Sequence, residues 1–392
     1  MTYLRRSVAL QFAALLVGSA LIVAWAGGTS RVAVSIDENC ATLGTDFLRH
    51  YYPTIEKLEP DRVWYYPPTI AILLKPLGWL PAGTANALWT VLQLVLLCVW
   101  AIVPPHLLPR RRPWLPVAYT LATVAAVPVL QNLVWGQVST ALAVAGLLAF
   151  VILGRRPVLA GTILGLGAAA KVYPLVWLGW PLVRRSFRAA GTAVLTAIAA
   201  AVLLPLLVLG GSGTIGFYQT VFSQLTHSLS TWIPTNPGPQ YLPAVVARLL
   251  GTSQRLEWVI PSWIIAAAFL GLLWRLRSDA TPVASLRAFA IVGGVFAFLI
   301  RTSWLHYFVH LPIAWLVLGY GLVAARRVER IGVGALLAFS VAFGSLPWQL
   351  VVSSGFAGRY AGAGWLAWSN LAALIGIGWL VLRDAPEEVR KR

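Results

Sequence analysis

The chain has 392 residues, of which 59% are hydrophobic and only 11% charged, too little polar surface for one or two water-soluble domains. Its formal charge of +18 does not point to nucleic acid, because the basic residues punctuate long apolar runs instead of covering a polar face. The expectation is an all-α integral membrane protein, a single membrane domain over 1–392, in which charge records topology.

The first apolar run, 8–26, follows Arg5 and Arg6 and ends at Ala24-Trp25-Ala26, a pattern close to a cleavable secretory signal. It is also long enough to cross a hydrocarbon core, which takes about 20 helical residues, and is read as a retained first helix. Further runs follow at 84–103, 116–131, 138–154, 157–170, 172–183, 189–209, 258–274, 287–300, 307–325, 331–348 and 362–382, about twelve transmembrane or re-entrant helices in all. Arginines gather on alternate connections, at 5–6, 110–112, 155–156, 184–188, 275–287, 326–330 and 383–392. The positive-inside rule makes these cytoplasmic, with both termini inside. The segment 157–183 carries arginines at both ends and two arms too short to span, so a re-entrant hairpin with Lys171 near its tip is expected; one tilted helix kinked near Pro174 is the alternative.

The far-side connections are 27–83, 132–137, 210–257, 301–306 and 349–361, and the first and third are too long to be turns. The first holds Asp37, Glu38, Asp46, Glu56, Glu59 and Asp61, six of the twelve acidic residues, and its segment 69–81 reads as a helix lying in the interface. Cys40 and Cys98 sit in unlike surroundings and suggest neither a disulfide framework nor a metal site.

Four groups of residues could carry chemistry. Asp46 offers a far-side carboxylate followed by Tyr51 and Tyr52, suited to a general base beside sugar-stacking rings, though on residues alone a helix cap is the plainer reading. Tyr66 precedes Pro67-Pro68 at the start of the interfacial segment, where an aromatic anchor is the plain reading. Asn132 and Gln137 place amides at the membrane boundary, able to meet sugar hydroxyls or to cap helices. Lys171 within an apolar hairpin is costly unless it meets an anion such as a lipid phosphate or reaches water, and Arg301 with His306 offers two further phosphate donors at a short far-side turn. No third ligand joins His306 and His310, and there is no phosphate-cradling glycine loop and no DxD pair, so neither a metal nor a soluble nucleotide-sugar donor is expected.

Taken in order, Asp46-Phe47 with Tyr51-Tyr52, Tyr66-Pro67-Pro68 with Leu80-Pro81, Gly136-Gln137, Ala160-Gly161 through Gly165 to Lys171 and Pro174, and Ser303-Trp304 with His306-Tyr307 resemble the motifs of glycosyltransferase family 87 over about residues 40–320. The resemblance implies a GT-C fold and a polyprenyl-phosphate-mannose-dependent mannosyltransferase. It would move mannose with inversion from the lipid donor to a lipid-linked or glycan acceptor hydroxyl, giving an α-linked product, α-1,2 by expectation. It carries the catalytic carboxylate onto Asp46, with Asp37 as the competing position, and the donor-phosphate role onto His306, with Arg301 and Lys171 assisting; Tyr51, Tyr52, Tyr66, Asn132 and Gln137 are the candidates for sugar or acceptor. No cofactor is implied beyond the lipid-linked donor, and the expected partners are membrane lipid, donor and acceptor, with the chain a monomer in a bacterial plasma membrane and its site facing outward. A related transferase for polyprenyl-phospho-arabinose or glucose, and a lipid-sugar flippase, are the other readings; the flippase predicts charges deep within several spans, whereas those here cluster at helix ends.

Overall fold

Apolar runs in a lipid solvent must satisfy their own backbone groups, and the helix does so locally. The computed structural model describes residues 7–19, 43–109, 112, 114–231, 236–252, 256–345 and 356–384, and no strand occurs among them. Asp37, Glu38 and Cys40 lie outside the described residues. In chain order the helices are α1 (Ser7–Ser19), α2 (Tyr52–Lys57) preceded by a π-helical turn (Phe47–Tyr51), α3 (Pro68–Leu74), α4 (Ala82–Ile102), α5 (Trp114–Ala125), α6 (Val127–Trp135), α7 (Ser139–Ile152), α8 (Pro157–Ala170) and α9 (Gly179–Val183). They continue as α10 (Phe187–Ile198), α11 (Leu204–Ser230), α12 (Leu242–Leu249), α13 (Leu256–Leu276), α14 (Pro282–Leu299), α15 (Leu311–Ala324), α16 (Arg327–Gly344), α17 (Phe356–Gly362) and α18 (Trp365–Arg383).

Each of the twelve apolar runs contains helix among the described residues, yet among those residues only six helices are long and apolar enough to cross a membrane, or seven if α5 and α6, bent by 52°, count as one span. The difference lies in local breaks that hydropathy does not register. At Lys171 the backbone turns extended, with φ −143° and ψ 138°, so α8 stops after 14 residues and a 3-10 helix (Tyr173–Leu178) begins. That 3-10 helix folds back on α7 and α8: a Cβ on Gly146 of α7 would fall 2.5 Å from the Trp177 ring, and one on Gly167 of α8 would fall 3.7 Å from Pro174.

The chain divides into two units, one of residues 42–96 and 132–236, the other of 1–41, 97–131 and 237–392. In the first, α8 lies against α10 at close range. Cβ atoms on Gly161 and Gly165 would fall 2.3 Å and 2.4 Å from the carbonyl oxygens of Ala189 and Ala193, so only glycine permits the approach that lets these helices pack by van der Waals contact in lipid. A π-helical turn (Ala199–Leu203) joins α10 to α11 and leaves two carbonyls for other partners: Thr69 Oγ1 donates to Ala200 O at 2.7 Å, and the Tyr218 hydroxyl donates to Ala201 O. The apolar stretch 187–230 runs 44 residues, roughly twice what a core of about 30 Å requires, and is interrupted by Gly210 at φ +72°. The predicted far-side stretch 210–257 is thus helical as far as Ser230.

In the second unit α14 is the central helix, buried at every position from Ala284 to Phe298. Its surroundings show that basic connections predicted for one side share one end. Arg287 at the start of α14 meets Asp384 beyond α18 at 2.6 Å, and Arg383 meets Glu329 at the start of α16 at 3.7 Å. At the opposite end of α14, Gln240 donates through its backbone to Ser303 O at 2.7 Å and through Nε2 to Ala361 O at 3.0 Å, joining three predicted far-side connections.

Candidate active site

Two glycines bring the loop before α2 onto the turn after α6. Gly44 at φ +80° donates its N–H to the Val134 carbonyl at 2.6 Å. Gly136 at φ +67° leaves no room for a side chain, since a Cβ there would sit 2.9 Å from the Cβ of Phe47 and 3.2 Å from the Cα of Gly44. Positive φ is cheap only for glycine, so both residue types are dictated by the backbone. Phe47 stacks on Trp89 of α4 at 5.5 Å, and Trp89 Nε1 donates to Gly136 O at 2.7 Å, which locks the two loops to α4.

The outcome is that Asp46 and Gln137, 91 residues apart, share a hydrogen bond: Gln137 Nε2 donates to Asp46 Oδ2 at 2.5 Å. The other end of the same amide, Oε1, accepts from Lys171 Nζ at 3.0 Å and from the Tyr51 hydroxyl at 3.1 Å. Lys171 is fully buried, and its ammonium lies 4.5 Å from the centroid of the Tyr66 ring. A buried cation needs compensation, and here it comes from a carbonyl oxygen, a π face and the nearby carboxylate. Tyr51, Trp64 and Tyr66 form one aromatic cluster, with Trp64 5.2 Å from Tyr51 and 5.3 Å from Tyr66, and Trp64 Nε1 donating to Tyr66 O at 2.8 Å.

Burial pushes the carboxyl of Asp46 above the usual carboxylate range; the charge of His50, the Gln137 hydrogen bond, and the charges of Lys171 and Arg49 pull back in the other direction. A carboxylate with a raised proton affinity, held from one side by an amide, is suited to accept a proton from a hydroxyl.

The candidates taken from sequence therefore divide. Asp46, Tyr51, Tyr66, Gln137 and Lys171 form one network. Asn132 braces it from behind, donating to Gln93 Oε1 at 3.0 Å and accepting from the backbone N–H of Thr140 at 3.1 Å, while Gln93 donates to the Gln137 carbonyl. The Tyr52 hydroxyl donates to Leu80 O at 2.8 Å and ties α2 to the interfacial segment. That segment is α3 followed by a 3-10 helix (Lys75–Trp79), with Leu73 and Trp79 exposed. Arg301 and His306 belong to the other unit, where His306 is buried in a 3-10 helix (Leu305–Phe308) and Arg301 is exposed at the preceding turn. Among the described residues no three His, Cys, Asp or Glu side chains gather as they would to hold a metal ion.

Sequence reading passed over Gln93 and the pair His50 and Asp61, joined at 2.7 Å between Nδ1 and Oδ2. Each left a trace. Gln93 is a buried amide inside a spanning helix, where an unpartnered polar group is expensive, and His50 follows Asp46 by four residues.

Comparison with known proteins adds an independent line. The sequence profile of glycosyltransferase family 87 matches residues 64–302, a stretch that contains Tyr66, Gln137, Lys171 and Arg301, with Asp46 before it and His306 after it. A protein of Mycobacterium tuberculosis described as a polyprenol-phosphate-mannose-dependent alpha-(1-2)-phosphatidylinositol mannoside mannosyltransferase is 32% identical over 281 residues, 65% of this chain and 61% of that one. One of the same description from Mycolicibacterium smegmatis is 29% identical over 276 residues, 64% and 60% of the two chains. The chain thus aligns with about three-fifths of the length of these relatives. No solved structure matches it.

Proposed function

The chain belongs to glycosyltransferase family 87, and from that premise we propose that it transfers mannose from polyprenyl-phosphate-mannose to an acceptor hydroxyl on a mannoside glycolipid. The observation that carries this reading is the Asp46–Gln137–Lys171 network, which joins a carboxylate of raised proton affinity to two residues inside the family-matched stretch. Asp46 takes the acceptor proton as its oxygen attacks the anomeric carbon. Gln137 aims the carboxylate, and Lys171 compensates its charge from within the protein. The bond from the anomeric carbon to the phosphate oxygen breaks on the opposite face, its electron pair leaving with the phosphate, so a β-linked donor gives an α-linked product with inversion.

His306 and Arg301 are assigned to the donor phosphate on the sequence resemblance, and the 1,2 linkage follows the description of the relatives. The long apolar helices provide a medium for the polyprenyl tail, and the distribution of arginines supports an acidic first connection on the side away from the cytoplasm.

The test supplies purified protein in nanodiscs with radiolabelled polyprenyl-phospho-mannose, and separately the arabinose and glucose donors, together with a mannoside glycolipid acceptor. The expected result is a labelled lipid formed only from the mannose donor and cleaved by an α-mannosidase. Transfer from arabinose or glucose in its place, or a β-linked product, would overturn the assignment.

A further inference from the structure

We propose that His50 and Asp61 form a relay that takes the transferred proton from Asp46 and passes it to water. The inference rests on the reading of Asp46 as the base and extends it to the step that resets the enzyme. A base that receives a proton in each transfer must lose it before the next, and on its inner side Asp46 meets groups cut off from water: Gln137 presents an N–H to the carboxylate, and Lys171 behind it is fully buried.

The outward side differs. Asp46 precedes the π-helical turn Phe47–Tyr51, and His50 follows it by four residues, about one turn on. His50 Nδ1 lies 2.7 Å from Asp61 Oδ2, with 32% and 27% of the two side chains exposed, so the pair reaches water. Asp61 is itself held, its backbone N–H donating to Thr54 Oγ1 of α2 at 3.1 Å. A carboxylate that accepts from Nδ1–H orients the imidazole in the tautomer that leaves Nε2 as the proton acceptor.

The proton balance is complete. The acceptor O–H bond breaks, the oxygen bonds the anomeric carbon, and the sugar–phosphate bond releases its electron pair to the lipid phosphate. The proton moves from the acceptor to Asp46, then to His50 Nε2, then to water. His50 and Asp61 are positioning residues, acting through Asp46. The charged and polar groups that act on Asp46 are His50 and Arg49 from its own turn, Gln137 from the turn after α6 and Lys171 from the end of α8; His50 in turn meets Asp61.

The test compares His50→Gln, His50→Gly and Asp61→Asn with Asp46→Asn across pH in reconstituted protein. His50→Gln and Asp61→Asn are expected to lose about tenfold in kcat with the donor KM little changed. Loss of the His50 charge also raises the proton affinity of Asp46, so the acid limb of kcat/KM moves to higher pH in His50→Gln, and added imidazole restores turnover to His50→Gly. Full activity and an unmoved acid limb in His50→Gln, with Asp46→Asn inactive, would overturn the relay and leave the base assignment standing. Loss in the His50 variants without imidazole rescue, with Asp61→Asn unaffected, would also overturn it. An active Asp46→Asn would refute the reading of the site on which the relay depends.

Discussion

Asp46 is raised by burial and lowered by its polar neighbours, so the direction of each substitution around it follows from which influence is removed. In the proposed mechanism the reactive form is the carboxylate, which is lost as pH falls through the proton affinity of the group. Gln137→Met removes a hydrogen bond that favours the charged form; its acid limb should therefore move to higher pH, with about a tenfold fall in kcat from the loss of aim. A pH–rate profile of the reconstituted variant checks this, and an unmoved limb would contradict it. Lys171→Met should shift the limb in the same direction, since it too removes an attraction. Asp46, Gln137 and Lys171 were legible in sequence as separate oddities, each a polar group where the surroundings make polarity costly. Their connection was not, because it spans 91 and 34 residues and depends on backbone turns at Gly44 and Gly136 that hydropathy does not encode. For the same reason Lys171 read as a phosphate ligand, whereas in the fold its ammonium is buried against Gln137 and Tyr66.

At the level of elements, glycines decide how closely helices and loops meet. Gly136→Ala would put a Cβ 2.9 Å from Phe47 at a positive φ, a change expected to cost about 1–3 kcal/mol and to spoil the alignment of Asp46 with Gln137. Gly165→Leu would force α8 away from the Ala193 carbonyl, only 2.4 Å from the new Cβ, and should lower the detergent-solubilised unfolding temperature more than Gly136→Ala does. Thermal unfolding of the two variants checks both, and unchanged midpoints would show that the packing is looser than described. The helices themselves were readable from apolar runs. Their breaks were less so: the end of α8 at Lys171 was anticipated from the arginines flanking 157–183, but the 52° bend between α5 and α6 and the continuation of α11 through the predicted loop carried no comparable signal.

For the whole molecule, alternation of arginines predicts a topology; within the second unit Arg287, Glu329 and Asp384 gather at one end of α14 and Gln240, Ser303 and Ala361 at the other. In a background with Cys40 and Cys98 replaced, a cysteine at Thr302 should react with an impermeant thiol reagent in cells whose plasma membrane is intact, and one at Glu329 should not; the reverse pattern would invert the orientation. The family match places the chain among glycosyltransferases. In the function proposed above, the chemistry is organised by the carboxylate before α2. The most direct measurement is transfer of radiolabelled mannose from polyprenyl-phospho-mannose by purified wild type and Asp46→Asn in the same lipid, with donor binding followed in parallel. The account predicts that Asp46→Asn binds the donor but transfers at least about a hundredfold more slowly; transfer at the wild-type rate would contradict it.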